Sequence, residues 1–376
     1  MILTSVAEKM IYHCSVADIR GGGGLETYIA SLVNSQTPNV SDRSLKSLKN
    51  LDQSQCKLLH LHDLEMVAQL RGECPVVLTL HNHSSYCPSG TKYLEEQGRE
   101  CHRNMHPLGC AWGHLVDGCG SRRPQKILAN WLGTESFITN LKKLNIPIIA
   151  NSDYVKKQII SNGISPDRVT TLLCAVQSPK YPIPPLNQET HQNQRILFVG
   201  RIVPYKGVEW LIRALAITDP RIHLDIAGDG WGKPELEKLA DKMGLRDRIT
   251  WHGWCNSDKL ETLYQQCLAV VFPSLWPEPA GLVTLEAYAR NRPIIASAIG
   301  GIPEYVKNGK TGILVPTNHI QSLADAIHEL TVNYDKARLM GEQGFHWFQQ
   351  EFTLDTHIQR LEKIYEKIIA DFQRNL

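Results

Sequence analysis

The chain has 376 residues, of which 42% are hydrophobic and 21% charged, and this composition is typical of a globular protein with room for two domains. A formal net charge of +2 gives no reason to expect nucleic acid as a partner. No apolar run approaches the roughly 20 residues that cross a bilayer, and the first residues are polar or acidic where a signal peptide requires an apolar stretch. These features predict a cytoplasmic protein and leave peripheral contact with the inner face of a membrane open.

The first half of the chain alternates short apolar runs with helical patterns. Strands are predicted at 10–16, 57–61, 76–80 and 146–151. Helices are predicted at 25–33, after the glycine run 21–24, and at 153–162, before Gly163. This alternation is typical of a parallel sheet covered by helices on both faces.

The segment 177–194 interrupts the alternation, because four prolines fall within seven residues of it, and it is predicted to be an irregular linker. A second set of strands is predicted further along, at 196–200, 223–227, 249–252, 269–272, 293–296 and 312–315. The chain closes with a predicted helix at 354–375.

The predicted architecture is therefore α/β, with two doubly wound, Rossmann-like domains that face each other across a cleft. The N-terminal domain would comprise 1–178, the linker 179–194 and the C-terminal domain 195–355. The last helix, 356–376, would be free to pack back on the N-terminal domain. Ligands are expected in the cleft, at the carboxyl ends of the strands.

Two glutamates eight positions apart mark the start of a predicted helix in the second domain. Glu278 follows a strand on a proline-rich turn, and Glu286 is predicted about two turns into the helix, roughly 12 Å further along its axis. The peptide groups of Ala280, Gly281 and Leu282 lie between them, where free N–H groups and the helix dipole favour an anion. This arrangement suits a sugar nucleotide, although spacing alone is equally compatible with an acid-capped loop and a solvated glutamate.

Cations and glycines follow other strands of the same domain. Arg201 and Lys206 lie on one strand-to-helix loop, where they suit a diphosphate, although each is also compatible with a solvated loop cation. Gly228 and Gly230 follow the next strand and would let a ligand approach the backbone, as they would in any tight turn. Trp254 follows a further strand, where it would either frame a base or belong to the core.

The order of these pieces resembles glycosyltransferase family 4, whose members are retaining enzymes with the GT-B fold. The resemblance covers most of the chain, and each motif alone is weak whereas their joint order and spacing are specific. The motifs are Gly22-Gly-Gly-Leu-Glu26, Asn151-Ser152-x-Tyr154-Val155, Gly200-Arg201-x4-Lys206-Gly207, Ala227-Gly-Asp-Gly230, His252-Gly-Trp254, Glu278-x7-Glu286 and Gly300-Gly-x-Pro-Glu304.

The resemblance implies a role for each charged group of the second domain. Arg201 and Lys206 would neutralise the donor diphosphate and the charge that develops on the leaving group. The amides near Gly281 and Leu282 would assist, so the chemistry would need no metal or other cofactor. Glu286 would accept hydrogen bonds from the ribose.

Glu278 would contact hydroxyls of the donor sugar, while the leaving phosphate assists attack on the same face of the sugar. A role as general base is not assigned to this carboxylate, because such a role depends on geometry. Gly228, Gly230 and Trp254 would line the nucleotide.

On the opposite wall of the cleft, His81 corresponds to the family histidine that faces the donor sugar. His83 is the competing candidate, since both side chains would point the same way if the strand continued. Gly22 and Gly23 would let the N-terminal loop approach the donor phosphates or the acceptor. Asn82 stands where many relatives carry an acid, and residues 173–177 also depart from the family pattern.

The first domain contains an insert, residues 84–124, that is rich in cysteine and histidine. Ten cysteines in a chain predicted to be cytoplasmic argue against a disulfide framework. The insert could instead hold a structural zinc ion, with ligands drawn from Cys87, Cys101, Cys110, Cys119, His102, His106 and His114. The spacings are wide and include no Cys-x2-Cys pair, so partly buried free thiols are the alternative.

The sequence therefore predicts a retaining, hexosyltransferase-type glycosyltransferase of polysaccharide or glycolipid biosynthesis. It would move a sugar from a nucleoside-diphosphate sugar to a glycan or a lipid-linked acceptor. The alternatives are a sugar-nucleotide epimerase or a phosphorylase of similar architecture, and a non-catalytic nucleotide-sugar-binding protein. The four charged positions of the second domain together favour the transferase.

Overall fold

A computed structural model describes residues 10–15, 24–34 and 47–374 of the chain. The strands of the first half are short, mostly buried apolar runs, and four of them fall where they were predicted. They are β1 (Met10–Cys14), β2 (Cys56–Leu61), β3 (Val76–Leu80), β4 (Tyr93–Leu94), β5 (Arg99–Glu100), β6 (Ile148–Ala150) and β7 (Val169–Thr171). β4 and β5 form an antiparallel ribbon inside the insert, and the other five form one parallel sheet in the order β1-β2-β3-β6-β7.

The helices of this half include three that were not predicted from the sequence. The helices are α1 (Gly24–Asn34), α2 (Pro107–Leu115), α3 (Pro124–Leu144), α4 (Asp153–Ser161) and α5 (Gln188–Gln192). One of the three, α5, lies in the segment predicted to be a linker. The other two, α2 and α3, each have a proline in the first turn, where the missing N–H leaves no intrahelical bond unmade. They form the end of the insert and the segment that follows it.

The segment 179–194 is more ordered than its prolines predicted. It contains α5, and two of its apolar side chains, Ile183 and Leu186, are buried in the cores of the second domain. Tyr334 donates a hydrogen bond from its hydroxyl to the Leu186 carbonyl at 3.1 Å. The segment is therefore attached to the C-terminal domain.

The second half of the chain forms a six-stranded parallel sheet in the order β10-β9-β8-β11-β12-β13. Its strands are β8 (Arg195–Val199), β9 (His223–Ala227), β10 (Ile249–Gly253), β11 (Ala269–Phe272), β12 (Ile294–Ser297) and β13 (Gly312–Val315). Each lies within one residue of its predicted position. The order reverses between β8 and β11, because β9 and β10 extend the sheet on one side whereas β12 and β13 extend it on the other.

The helices of this half cover the six-stranded sheet, with the exception of the last one. They are α6 (Val208–Leu215), α7 (Lys233–Lys242), α8 (Ser257–Gln266), α9 (Leu282–Tyr288), α10 (Ile320–Val332), α11 (Tyr334–Glu351) and α12 (Leu354–Arg374). α12 crosses back to the first domain, where Leu361 and Tyr365 are buried with Ile11 and Ile29. None of the described helices combines the length and apolar character needed to span a bilayer.

Candidate functional site

The predicted charged residues of the second domain converge where the strand order reverses. Loops that follow β8 and β11 leave the sheet in opposite directions, and the crevice between such loops is where doubly wound sheets bind ligands. Arg201 and Lys206 lie on the loop after β8, and Glu278 lies on the loop after β11. The fold thus brings together residues that are more than 70 positions apart in the sequence.

Lys206 and Glu278 form a largely buried ion pair at this crevice. Lys206 Nζ lies 2.5 Å from Glu278 Oε1, and the two side chains are 16% and 8% exposed. Ser274 Oγ donates a hydrogen bond to the same carboxylate oxygen at 2.9 Å. The ammonium also lies 5.3 Å from the centre of the Trp276 ring, within the range of a cation–π contact. These contacts compensate both charges for the loss of water.

Arg201 is exposed at the start of the same loop. Its guanidinium forms no ion pair with any residue that the structure describes. A planar cation with five donors therefore stands beside the Lys206–Glu278 pair and is available to an anionic ligand.

Glu286 lies closer to the start of its helix than the spacing predicted. The proline-rich turn continues through Gly281, whose backbone (φ −107°, ψ 51°) is not helical, and α9 begins only at Leu282. Glu286 is therefore little more than one turn into the helix, and the predicted separation of two turns from Glu278 is wrong. Gly281 and Leu282 stand at the N-terminus of α9, as expected.

The carboxylate of Glu286 is half-buried and is held by its own domain. Tyr264 donates a hydrogen bond from its hydroxyl to Glu286 Oε2 at 3.0 Å. Burial raises the pKa of Glu286, and the nearby Arg290 guanidinium opposes this shift. Arg290 in turn pairs with the carboxylate of Glu261.

The packing of the turn after β9 requires glycine at positions 228 and 230. A Cβ on Gly228 would lie 1.9 Å from the Gly200 carbonyl oxygen, and one on Gly230 would lie 2.2 Å from that of Ile202. Only glycine lets this turn pack against the backbone of the loop that carries Arg201. Trp254, at the end of the neighbouring strand, is 70% exposed and lies outside the core.

The N-terminal domain holds the backbone on both sides of Glu278. His83 Nε2 lies 2.6 Å from the Pro277 carbonyl oxygen, and Ser152 Oγ donates a hydrogen bond to the Pro279 carbonyl at 2.6 Å. The position of the Glu278 carboxylate consequently depends on how the two domains are docked.

The glycine-rich turn 300–304 completes this contact between the domains. The Gly301 N–H donates a hydrogen bond to the Glu278 carbonyl at 2.7 Å. The Glu304 carboxylate accepts hydrogen bonds from the backbone N–H groups of Asp153 and Tyr154 at 2.6 and 2.7 Å. It therefore caps the N-terminus of α4 from the opposite domain, where an anion is favoured by the helix dipole.

His81 and His83 diverge, so the prediction that they point the same way is wrong. β3 ends at Leu80, and residues 83–85 form a 3-10 turn that is capped by the side chain of Asn82. The two-residue alternation of a strand therefore no longer applies at these positions. His83 reaches Pro277 in the other domain, whereas the ring of His81 stays at the end of the sheet.

His81 is the outer member of a chain of three hydrogen-bonded imidazoles. His81 Nε2 lies 2.9 Å from His62 Nδ1, and His62 Nε2 lies 3.0 Å from His13 Nδ1. Because each neutral ring has one donor and one acceptor, the tautomer of one ring determines those of the other two. Burial lowers the pKa of His81 to about 3 and that of His13 to about 4, so both rings are neutral at pH 7.

A fourth histidine, His60, packs against this chain. His13, His60 and His62 are the one group, within the three described ranges, whose potential ligand atoms lie within 4.8 Å of one another. His60, however, uses both ring nitrogens in hydrogen bonds, to Tyr365 Oη at 2.5 Å and Thr79 Oγ1 at 2.6 Å. The group is a satisfied hydrogen-bond network. No local pattern in the sequence indicates this network, because its histidines lie at the ends of three separate strands.

A cavity of about 530 Å³ opens beside His81 in the N-terminal domain. The ends of β2 and β3, the start of the insert and α3 enclose it. Its charged and amide side chains are Asp63, Glu65, Asn82, Asn130 and Asn140, and its described lining contains neither lysine nor arginine. Such a lining suits a ligand with many hydroxyl groups better than one with phosphate groups.

Two predicted residues of the site, Gly22 and Gly23, lie outside the residues that the structure describes.

The two parallel-sheet domains that meet at a charged cleft have the architecture of the GT-B fold. The structure is similar to that of Anabaena HepE in complex with UDP, with a TM-score of 0.71 and 18% identity over 96% of this chain and 100% of that chain. It is also similar to sucrose-phosphate synthase from Thermosynechococcus elongatus, with a TM-score of 0.72 and 20% identity over 96% of this chain and all of that chain. These similarities confirm the predicted fold.

Residues 184–347 match the family described as glycosyl transferases group 1. Over 176 residues the chain is 34% identical to alpha-D-kanosaminyltransferase of Streptomyces kanamyceticus. The aligned region is 46% of this chain and 45% of that protein. Over 190 residues it is 34% identical to a GDP-mannose-dependent alpha-(1-6)-phosphatidylinositol monomannoside mannosyltransferase of Mycobacterium tuberculosis. Here the aligned region is 48% of this chain and 47% of that protein. The matches thus span just under half of these relatives. The family match, which covers less than half of the chain, agrees with the resemblance to family 4.

Proposed function

We propose that the protein is a retaining glycosyltransferase that moves a sugar from a nucleoside-diphosphate donor to a hydroxyl group of a glycan. The proposal depends chiefly on the buried Lys206–Glu278 pair at the strand-order reversal, with the guanidinium of Arg201 beside it. A cation and a carboxylate held this close suit a ligand in which a diphosphate adjoins a sugar. The diphosphate would contact Arg201 and Lys206, and the sugar hydroxyls would contact Glu278.

In the proposed reaction the bond between the anomeric carbon and the phosphate oxygen breaks, and the acceptor oxygen bonds to the anomeric carbon on the same face. The acceptor proton passes to the departing phosphate oxygen. Arg201 and Lys206 stabilise the negative charge that develops on the diphosphate. The Glu278 carboxylate, which already accepts hydrogen bonds from Lys206 and Ser274, positions the sugar and takes no proton.

The acceptor would occupy the cavity beside His81. The lining of this cavity offers carboxylates, amides and hydroxyls, which are suitable partners for sugar hydroxyls. His81 is neutral at pH 7, so it would form a hydrogen bond to a hydroxyl group and would not attract an anion. We therefore favour a neutral glycan end over a phosphate group as the part of the acceptor that enters this domain.

The test is a donor panel with and without an oligosaccharide acceptor. HepE was crystallised with UDP and UDP-glucose, and the mycobacterial relative is named for GDP-mannose, so the panel contains UDP- and GDP-sugars and, in addition, ADP-sugars. Acceptor-dependent release of nucleoside diphosphate, with retention of the anomeric configuration in the product, is expected. Glu278→Ala and Lys206→Ala should abolish it, whereas Arg213→Ala, in an exposed pair with Glu209, should not.

The same panel separates the alternatives. Interconversion of donor epimers without a glycosidic product would identify an epimerase. Tight binding of a donor without turnover would indicate a non-catalytic binding protein. Either result would exclude the proposed transfer.

We also infer peripheral contact with the anionic inner face of the cytoplasmic membrane, through the surface formed by α2 and α3. Leu108 and Trp112 on α2 and Leu128 on α3 are 78%, 58% and 58% exposed. Arg123, which directly precedes α3, and Lys126, in the first turn of α3, are also exposed. Apolar side chains flanked by cations bind anionic bilayers through both burial and charge.

This contact is tested by sedimentation with vesicles of phosphatidylcholine, with and without phosphatidylglycerol. The protein is expected to sediment with the anionic vesicles, and Trp112→Asp should prevent it. Leu339→Asp, which changes a 49% exposed leucine of the other domain, is the matched control. If the wild-type protein stayed in the supernatant in the presence of the anionic vesicles, this result would contradict the inference.

A further inference from the structure

The fold of the insert brings its four cysteines to one small cavity. Cys87 follows the 3-10 turn 83–85, Cys101 follows β5, Cys110 lies in α2 and Cys119 follows α2. All four line a cavity of about 20 Å³, which has room for a single small ion or water molecule. The wide spacing in the sequence is therefore compatible with a common site, since separate elements converge on it.

A histidine in the same cavity has an unused nitrogen. His114, on α2, is 1% exposed and lines the cavity. Its Nδ1 lies 3.0 Å from the Ser121 carbonyl oxygen and so carries the proton of the neutral ring. Its Nε2 is buried, and no residue of the described ranges forms a hydrogen bond with it.

Such a nitrogen is rare in a folded protein, because a buried acceptor without a partner costs free energy. The hydrogen bond from Nδ1 to a backbone carbonyl is the arrangement that orients metal-ligating histidines and fixes their tautomer. His114 therefore has the geometry of a ligand for a cation.

Two glycines of the insert make the packing around these ligand groups possible. A Cβ on Gly113 would lie 3.0 Å from Cys119 Sγ, and one on Gly120 would lie 2.8 Å from His114 Cε1. Cys87 Sγ lies 3.1 Å from Ser89 Oγ, and Ser89 also packs near Gly120. The backbone thus holds Cys119 and His114 close to Cys87.

Two cations flank the cavity. Lys92 is 2% exposed, lines the cavity and donates a hydrogen bond to the Arg103 carbonyl at 2.8 Å. Arg103 also lines it, and its guanidinium lies 2.6 Å from the Asp117 carboxylate. A zinc ion with three thiolates and one imidazole has a net charge of −1, which the Lys92 ammonium would offset, because Arg103 is already paired with Asp117.

From the thiols, the free nitrogen and the cations, we propose that the insert binds one zinc ion through three of its four cysteine thiolates and His114 Nε2. Zinc favours a tetrahedral site of sulfur and nitrogen ligands of this kind in structural positions. The site is separate from the proposed donor site and shares Cys87 with the lining of the cavity beside His81. Its role is to hold α2 against the segments of the insert that carry the other ligands.

Binding requires the insert to contract around the ion. In the described part of the chain, only the three buried histidines of the first sheet bring three potential ligand atoms within 4.8 Å of one another. Thiols bind zinc as thiolates, so binding would release a proton from each cysteine that becomes a ligand.

The test is metal analysis of the full-length protein, produced in zinc-supplemented medium and purified under reducing conditions without a metal-affinity step. One zinc per chain is expected. His114→Ala and the double variant Cys110→Ser with Cys119→Ser, which leaves only two of the four thiols, should each lower zinc affinity at least about tenfold. Cys255→Ser, which changes a partly exposed thiol of the second domain, should retain one zinc.

A second measurement covers the case in which a ligand variant does not fold. The wild-type protein is titrated with cobalt, whose absorption bands distinguish three sulfur ligands and one nitrogen from four sulfurs. Bands of a tetrahedral site with three thiolates, displaced by zinc, would support the proposal.

Three results would overturn it: wild-type protein without stoichiometric zinc, the visible absorption and iron content of an iron–sulfur cluster, or a mass lowered by disulfide formation within the insert. A cobalt spectrum of four thiolates would exclude His114 as a ligand.

Discussion

The two walls of the cleft differ in how they present polar groups. The N-terminal wall presents His81, which is neutral and is held by hydrogen bonds to other neutral imidazoles. The C-terminal wall presents Lys206 and Glu278, which are charged and are held by each other. A charged leaving group and a neutral hydroxyl need different partners, so the difference indicates which substrate each wall would contact.

The two glutamates of the motif differ in a similar way. The backbone around Glu278 is fixed by side chains of the opposite domain, His83 and Ser152. Glu286 is held only within its own domain, by Tyr264 among the described residues. Docking of the domains would therefore affect contacts with the donor sugar more than contacts with the ribose.

Replacement of Lys206, the cation of the C-terminal wall, should have the largest effect on activity. Lys206→Ala is expected to lower kcat/KM by at least about 10³-fold, because it removes stabilisation of the leaving group and leaves the Glu278 carboxylate buried without its partner. Steady-state kinetics with the active donor measure it. Arg213→Ala is the control, since exposed pairs contribute less than about 1 kcal/mol. Activity of Lys206→Ala within threefold of wild type would refute the role of the pair.

Lowering the pH should destabilise the protein, because the buried histidines of the N-terminal wall are neutral in the folded state. The folded pKa of His13, about 4, is below its ordinary value of 6.5, so the unfolded chain binds more protons as the pH falls below 6.5. Stability should therefore decrease between pH 7 and pH 5, by about 2 kcal/mol from His13 alone and by a similar amount from His81. Urea unfolding at the two pH values measures the change.

The acid effect should be confined to the buried histidines. His346→Gln, which replaces an exposed histidine, is expected to leave the pH dependence unchanged. Equal stability of the wild-type protein at pH 7 and pH 5 would show that the imidazoles of the N-terminal wall are not held neutral.

The smallest effect is expected within the histidine chain. His81→Ala should lower kcat/KM about tenfold, the value of one hydrogen bond to the sugar. His62→Asn should lower it less, because His62 acts by orienting the His81 ring. The double variant should be no worse than His81→Ala, since interacting residues are not additive. Additive losses would mean that His62 acts independently of His81.

The strands of both domains were predictable from local sequence. The runs 76–80, 269–272 and 312–315 are mostly apolar, rich in β-branched or aliphatic residues and followed by a polar or turn-forming residue, and each forms a strand over those same residues. The helices α2 and α3 were not predicted. Their pattern is obscured because apolar residues such as Leu108, Trp112 and Leu128 lie on the exposed face.

The chemical character of the candidate site could also be inferred from the chain alone, because residue types and their order carry it: two acids, two cations and a histidine at strand ends. The contacts that these residues make could not be inferred in this way. Lys206 and Glu278 are 72 positions apart, and His83 and Pro277 are 194 positions apart, so only the docking of loops and domains decides those contacts. The unused nitrogen of His114 is a property of burial, which no local pattern reports. Local interactions thus define the elements, whereas hydrogen bonds and ion pairs between distant segments define the site.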